Sequence, residues 1–251
     1  MFGNMYFNIF SSRFLEHSAY NRNMKKVEKI GFYLYIVIEI GLYLSFLIMD
    51  FFTKSDSTII KYISIIIVNL ASLFTIIINR KGNYYFVLGL IFTLISDTFL
   101  LLINDYYIAG LICFNIVQNL YLFGLKKEIS KYFKIQLLIR LIILITCVSV
   151  SFVTKEYEVM LSSSYIIFLI MNILTLILLC KKDSKNITLL IGFCLFLLCD
   201  INVGLNNLGY YFPLDQNTIN TLQNVSSNLM WLFYLPSQVL ISLYVKDKDQ
   251  Y

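Results

Sequence analysis

Two aspartates lie inside long apolar segments of this chain, where a charged side chain is expensive. Asp97 ends the stretch GLIFTLISD and Asp200 ends GFCLFLLCD, so seven residues separate a glycine from an aspartate in both. An ionised carboxylate at membrane depth usually faces a bundle interior or a wet cavity. In a close pair of carboxyls, one can hold the proton while the other is ionised. Such an acid and base suit hydrolysis through an oxocarbenium-like state. The alternative is two separate aspartates, each bonded to Asn or Ser neighbours.

Polar side chains accompany both aspartates along the apolar segments. Amides at membrane depth often only join helices, whereas amides clustered with two carboxylates could bind a polar headgroup or orient water. Glu39 and Arg140 fall at similar positions of two other segments. We expect these two to form a structural ion pair, or Arg140 to extend to the inner surface. The candidate substrate-binding residues on the apolar segments are Asn115, Gln118, Tyr121, Asn202 and Gln238.

Several other chemistries find no support in the sequence. It contains no G-x-S-x-G, H-E-x-x-H or P-loop motif, and its one histidine, His17, precedes every apolar segment. The five cysteines lie in or beside apolar runs and are expected to act as small hydrophobes. We therefore expect no metal and no cofactor. The net charge of +5 comes from residues between the apolar runs and forms no basic face, so nucleic acid is not an expected partner.

The elements that must position these residues are membrane-spanning helices. Hydrophobic residues make up 59% of the 251 positions and charged residues 14%, against about 25% charged in soluble proteins. A helix needs roughly 20 apolar residues to cross the hydrocarbon layer. The sequence predicts an all-α polytopic bundle of about eight spans, in one domain over residues 30–251. The predicted spans are 30–49, 59–79, 84–103, 106–124, 134–153, 160–180, 187–205 and 228–245.

The distribution of basic residues predicts the orientation. Sixteen Lys and Arg fall on the side of the two chain ends and three on the opposite side, which is a strong positive-inside bias. We expect a multi-pass protein of the cell membrane with both termini in the cytoplasm. The cytoplasmic segment 1–29 places apolar residues at helical spacing, from Phe2 to Phe14, which favours an amphipathic helix on the membrane surface. A disordered tail is the alternative.

The two aspartates also indicate an internal repeat. Both predicted spans run from the inside to the outside, and both aspartates lie about 13 residues, a rise of roughly 20 Å, from the inner end. The following spans are alike too, with Phe114-Asn-Ile-Val-Gln118 in one and Tyr234-Leu-Pro-Ser-Gln238 in the other. Two parallel four-helix halves around a pseudo-two-fold axis would bring the aspartates into one cavity.

These residues resemble the lysoplasmalogenase-like (YhhN) family of membrane proteins. The resemblance rests on eight spans, with a small residue and Asp on span three, in LISDTFLLL, and again on span seven, in FLLCDINVGL. The closing stretch Tyr234-Leu-Pro-Ser-Gln238-Val-Leu-Ile is similar to the last span of that family. Lys61 is similar to a basic residue that the family places at the start of span two.

The resemblance implies hydrolysis of the vinyl-ether bond of a lysoplasmalogen, a lysophospholipid, into a fatty aldehyde and a glycerophospho-alcohol. Asp97 and Asp200 would then be the catalytic pair, without a metal, by analogy with two-carboxylate glycosidases. Gln118 or Gln238 would hold the water or the headgroup, and Lys61 would meet the phosphate. One departure matters: the family has His on span four where this chain has Gln118, which cannot exchange protons at neutral pH.

The alternative function is an ion-coupled transporter or a lipid-binding membrane protein without enzymatic activity. Parallel repeats with intramembrane carboxylates suit transport equally well. Transporter sites, however, often need unwound helices, and the chain has only two prolines, Pro213 and Pro236. A closed site that holds both aspartates favours the hydrolase, whereas a water path open to alternate sides favours transport. The sequence does not indicate an oligomeric state.

Overall fold

The computed structural model describes residue 27 and residues 29–53, 55–79, 82–103, 105–181, 183, 186–213 and 215–245, without the side chain of residue 79. These residues form helices joined by short connections, and no strand occurs among them. The predicted amphipathic helix near the N-terminus lies outside the described residues. The prediction of one domain over residues 30–251 stays a prediction.

Nine helices follow one another along the described residues. Helix α1 closes with a π-helical turn, Met49–Thr53, and α3 continues into a π-helical segment, Thr98–Ile103. Such π-helical turns are rare in proteins, and those that occur often lie at functional sites. The helices are α1 Lys29–Thr53, α2 Thr58–Asn79, α3 Tyr84–Asp97, α4 Tyr107–Gly124, α5 Ser130–Thr154, α6 Tyr157–Cys180, α7 Ile187–Asn206, α8 Leu208–Tyr211 and α9 Gln216–Leu243.

Seven helices among the described residues, α1 to α7, are long and apolar enough to cross a membrane. The chain is therefore a multi-pass membrane protein, and the prediction of an all-α polytopic bundle is confirmed. The predicted eighth span, 228–245, overlaps the second half of α9, which has 28 residues, and extends two residues beyond its end at Leu243. Helix α9 is not among the seven, since its first half, QNTINTLQNVSSN, is mostly polar. Its crossing of the membrane stays a prediction.

The helices pack in a pattern that repeats. Helix α3 packs along α4, and α7 packs along α9; α2 contacts α3 and α9, whereas α6 contacts α7 and α4. The contacts among α2, α3 and α4 therefore match those among α6, α7 and α9, and the contact of α2 with α9 matches that of α6 with α4. Two parallel halves around a pseudo-two-fold axis have this arrangement, as the paired motifs of the sequence predict.

The two glycines of the repeated motif allow close helix packing. A Cβ atom on Gly89 would lie 2.4 Å from the Tyr121 ring on α4. A Cβ on Gly192 would lie 3.2 Å from side-chain atoms of Ile241 and Leu240 on α9. Small residues let neighbouring helices approach closely in membranes. Each glycine thus allows the helix that carries the aspartate to pack closely against the last helix of the same half.

A proline explains how α1 is attached to α9. Pro236 lies inside α9 and has no N–H, so the carbonyl of Leu232 loses its helical partner. The Tyr43 hydroxyl of α1 donates to that carbonyl at 3.0 Å. A backbone carbonyl without a partner is costly in a membrane, and the bond from Tyr43 removes that cost. One turn further along α1, Phe46 packs edge-on against Tyr43, with ring centroids 5.1 Å apart.

Candidate active site

Asp97 is almost completely buried at the last α-helical residue of α3. It is 4% exposed, and the hydroxyl of Tyr234 on α9 donates to its Oδ2 at 2.5 Å. Hydrogen bonds between a hydroxyl and a carboxylate are short and strong. The partner of Asp97 therefore comes from the other half of the repeat.

Asp200 lies on α7 and is half-buried. The hydroxyl of Tyr165 on α6 donates to its Oδ2. The two aspartates are close enough to interact electrostatically. The ring of Phe196 lies between their partners, 6.3 Å from the Tyr165 centroid and 5.7 Å from the Tyr234 centroid. The structure thus brings both predicted catalytic residues into one site, each with a tyrosine hydroxyl as donor.

Tyr121 reaches the same site from α4. Its side chain is fully buried, its ring packs 5.2 Å from Phe193, and it interacts electrostatically with Asp97. Cys199 is also buried and interacts with both aspartates. No group of three His, Cys, Asp or Glu that could hold a metal ion occurs among the described residues.

Gln118 is oriented by a chain of hydrogen bonds that begins at Arg140 on α5. Arg140 is 2% exposed and donates to Asn172 Oδ1 on α6 at 2.6 Å and to the Gln118 carbonyl at 2.8 Å. Arginine can only donate, so Asn172 must turn its oxygen to Arg140 and its Nδ2 to Gln118. That Nδ2 donates to Gln118 Oε1 at 2.9 Å. Gln118 is therefore left with a buried Nε2 donor that has no partner among the described residues.

Gln238 occupies the corresponding position on α9, one turn beyond Tyr234. It is 1% exposed, and its Nε2 donates to Ser237 Oγ at 3.3 Å. Its Oε1 is buried without a partner in the part of the chain that the structure describes. The two glutamines thus offer one donor and one acceptor. An unpaired buried polar atom is costly, and ordered water usually satisfies such atoms.

The two predicted asparagines have local roles. Asn115 Nδ2 donates to the carbonyls of Leu111 and Leu161, and its Oδ1 accepts from Ser164, so it joins α4 to α6. Asn202 is buried and donates to the Leu198 carbonyl of its own helix at 2.7 Å. The structure does not bring either of them into hydrogen-bond contact with the aspartates, and their predicted role in substrate binding stays a prediction.

Lys61 lies near the start of α2 and forms a salt bridge with Asp50, with Nζ 2.7 Å from Oδ2. Its ammonium also lies over the rings of Phe46 and Trp231, at 5.6 and 5.1 Å from the centroids. The Trp231 ring in turn contacts Tyr234, the partner of Asp97, at 5.3 Å between centroids. Lys61, the residue predicted to bind a phosphate, is thus connected to the aspartate site through the contact between the Trp231 and Tyr234 rings.

The expected ion pair between Glu39 and Arg140 is wrong. Glu39 on α1 accepts from Ser64 on α2, whereas Arg140 is held by acceptors of α4 and α6 and lies 5.1 Å from the Phe168 ring centroid. The reason is the repeat: α1 and α5 are equivalent helices, each packed on the second helix of its own half. The two side chains therefore face different partners.

Sequence reasoning missed the tyrosine partners of the aspartates, although the repeat contained a signal for one of them. Tyr165 precedes Asp200 by 35 residues, and Tyr62 precedes Asp97 by the same distance along the chain. Extending the repeat backwards from the aspartates would have pointed to Tyr165. The same offset also aligns Asn69 with Asn172.

Among the described residues, seven apolar helices and two tyrosine-bonded aspartates define a multi-pass membrane protein with a carboxyl pair inside its bundle. The model of the YhhN family matches residues 56–245, and this chain belongs to that family. The predicted resemblance is thereby confirmed. No curated protein and no solved structure matches the chain. The matched segment begins after α1, so Phe46 and Asp50 precede it.

Proposed function

We propose that this protein hydrolyses the vinyl-ether bond of lysoplasmalogens, with Asp97 and Asp200 as its acid and base. Membership of the YhhN family supports a lysoplasmalogenase-like membrane protein. The observation that carries the enzymatic proposal is the pair of neighbouring carboxyls at equivalent positions of two helices. Such a pair can supply a proton and accept one within the same site.

The proposed reaction begins with two proton transfers. One carboxyl protonates the vinyl carbon that is not bonded to oxygen, which leaves an oxocarbenium ion on the carbon that is. Water adds to that carbon while the other carboxylate takes a proton from the water. The first carboxylate then takes the hydroxyl proton of the resulting hemiacetal, while the second carboxyl protonates the departing glycerol oxygen. This step gives a fatty aldehyde and a glycerophospho-alcohol and restores both carboxyls. This division of roles follows two-carboxylate glycosidases.

The surrounding residues have matching roles in this proposal. Tyr234 and Tyr165 stabilise the ionised form of the aspartate that each contacts. The Gln118 donor and the Gln238 acceptor hold the attacking water, which needs both kinds of partner. A glutamine at position 118 can orient water without titrating. We infer that proton exchange is then confined to the two aspartates.

The test is aldehyde release from a lysoplasmalogen by the detergent-purified protein. We expect release by the wild type and a loss of about 10²–10⁴-fold in Asp97→Asn and in Asp200→Asn, because each removes one proton-transfer group. Asp105→Asn, at an exposed residue between α3 and α4, is the matched control and should keep full activity. Thermal unfolding of each variant checks that it remains folded. No release by the folded wild type from any vinyl-ether headgroup would refute the proposal.

We also propose that α9 is the eighth span and that both chain ends are cytoplasmic. The support is the excess of basic residues on that side, together with the packing of α9 along α7. Helix α9 has 28 residues, about 40 Å at 1.5 Å per residue. Labelling of cysteines introduced at either chain end, in intact and in broken cells, tests this. Labelling of an end in intact cells would contradict it.

A further inference from the structure

The salt bridge between Lys61 and Asp50 lies in unusual surroundings. Both side chains are only 11% exposed. Asp50 sits in the π-helical end of α1 and also accepts from Ser57. The ion pair uses one of the three N–H groups of Lys61, and the ammonium otherwise faces the rings of Phe46 and Trp231. An ammonium that is paired with a carboxylate therefore also lies over two aromatic rings.

This group of four residues adjoins the aspartate site. Trp231 and Tyr234 follow each other by three residues on α9, so both lie on one helix face. Their rings are in contact, and Tyr234 donates to Asp97. Lys61 is likewise next to Tyr62, whose hydroxyl bonds to Thr98 Oγ1 beside Asp97 at 2.8 Å. The contact between the Trp231 and Tyr234 rings thus connects the ion pair to Asp97.

We propose that Asp50, Lys61, Phe46 and Trp231 form a binding site for the zwitterionic headgroup of a lysophospholipid, an inference that rests on the proposed function. The phosphate of the headgroup pairs with Lys61. The ammonium of the headgroup pairs with Asp50 and lies over the faces of the aromatic rings. The internal ion pair is exchanged for two ion pairs with the ligand. The glycerol part then extends towards Asp97, which places the vinyl ether at the carboxyls.

Charge balance decides which headgroups fit this site. A zwitterion brings no net charge, so each of its charges finds an opposite charge and none is left buried without a partner. A headgroup with a phosphate and no ammonium would occupy Lys61 and leave the Asp50 carboxylate unpaired beside it. An uncompensated charge away from water is strongly unfavourable. The site should therefore select phosphoethanolamine or phosphocholine over a bare phosphate.

The aromatic rings add to this selection. Cations bind over the faces of Trp and Phe rings, most strongly Trp, and the ammonium of Lys61 already occupies such a position. When Lys61 turns to the phosphate, the faces of Phe46 and Trp231 become available to the ligand cation. The same two rings thus serve the internal cation and the ligand cation in turn.

The chain contains a single tryptophan, so the fluorescence of Trp231 reports binding directly. We would titrate the protein, in a maltoside detergent, with lysophospholipids that carry an alkyl ether instead of a vinyl ether. We expect the phosphoethanolamine lipid to bind about tenfold more tightly than the lipid with a bare phosphate, in keeping with one charged hydrogen bond. Asp50→Asn should abolish this preference, while Asp50→Glu and the control Asp105→Asn should keep it.

The outcomes separate this inference from the proposed function. Equal affinity of the wild type for both lipids, or an unchanged preference in Asp50→Asn, would refute the headgroup site even if the protein releases aldehyde. A preference that depends on Asp50 would support the site even if no aldehyde is released, because the alkyl-ether ligands need no turnover. In that case the hydrolase proposal would fail alone, and the protein would be a lipid binder.

Discussion

The two halves of the molecule present the same aspartate in different surroundings. Asp97 is 4% exposed and accepts a hydrogen bond from the hydroxyl of Tyr234, which belongs to the other half. Asp200 is half-buried and accepts a hydrogen bond from the hydroxyl of Tyr165, which belongs to its own half. The equivalent of Tyr165, Tyr62, bonds to Thr98 and leaves Asp97 to α9. Equivalent helices therefore carry carboxyls with partners of different origin.

A repeat can yield two different roles through such a difference. A perfectly symmetric pair of carboxyls would have no structural reason to divide acid and base functions between them. Here the position that is tyrosine on α9, Tyr234, is Phe114 on α4, which has no hydroxyl. This substitution between the halves is one of the differences that distinguish the two aspartates.

The largest effect is expected from the tyrosines that contact the aspartates. Tyr234→Phe and Tyr165→Phe each remove one hydrogen bond to a carboxylate, worth about 1.5–3 kcal/mol. We expect kcat/KM for aldehyde release to fall about 10–100-fold in each. Tyr62→Phe is the matched control, since Tyr62 bonds to a threonine, and it should change kcat/KM less than about threefold. Equal losses in all three variants would mean that the hydroxyls act only on stability.

The glycines should differ in stability, although the motif treats them alike. In Gly89→Ala, the new methyl group would lie 2.4 Å from the Tyr121 ring, which is fully buried and packed against Phe86 and Phe193. We expect a loss of about 1–3 kcal/mol, read as a lower thermal unfolding temperature in detergent. In Gly192→Ala the nearest atoms are 3.2 Å away, so the loss should be smaller, below about 1 kcal/mol.

Gly204→Ala provides the control for this pair. A Cβ there would meet nothing within 4 Å, and alanine favours a helix by about 0.5–1 kcal/mol over glycine. We expect an unfolding temperature equal to or above that of the wild type. If Gly89→Ala unfolded no earlier than Gly204→Ala, the close contact between α3 and α4 would be wrong.

The smallest effect is expected from making the halves more alike. The Phe114 ring packs 6.0 Å from Phe196, one turn before Asp200 on α7. By the repeat, a hydroxyl at position 114 should approach Asp200 as Tyr234 approaches Asp97. We expect kcat/KM of the double variant Phe114→Tyr/Tyr165→Phe to be about threefold higher than that of Tyr165→Phe alone. This gain corresponds to a fraction of the free energy of one hydrogen bond. Addition of Phe114→Tyr to Tyr234→Phe is the control and should restore nothing.

The sequence predicted the helical class, the spans and the two aspartates because these depend on periodic or repeated features. Apolar length predicted eight spans, and seven helices among the described residues are long and apolar enough to cross a membrane. Asp97 and Asp200 stood out because a carboxylate inside an apolar run has few structural reasons to be there. Their similar depth in the membrane, which comes from counting residues along each helix, stays a prediction.

The partners of these residues depend on helix packing, which spacing along one chain does not determine. Asp50 was overlooked because it ends an apolar run, where charges are ordinary. Its pairing with Lys61 requires the position of α1 beside α2. Arg140 was assigned to Glu39 because both are charged, whereas the backbone carbonyls of Gln118 and Phe168 and the amide oxygen of Asn172 accept from it instead. Backbone acceptors occur at every residue and leave no mark in the sequence.

Arg140 has a consequence for how the protein is made. Helix α5 buries only Phe133, Arg140 and Ser151, so most of its surface faces lipid. An arginine at the centre of an isolated helix costs about 2.5–3.5 kcal/mol on insertion into a membrane. That cost is relieved only when acceptors on α4 and α6 are present on either side in the chain. We infer that α5 enters the bilayer stably together with its two neighbours, as a three-helix unit that assembles during synthesis.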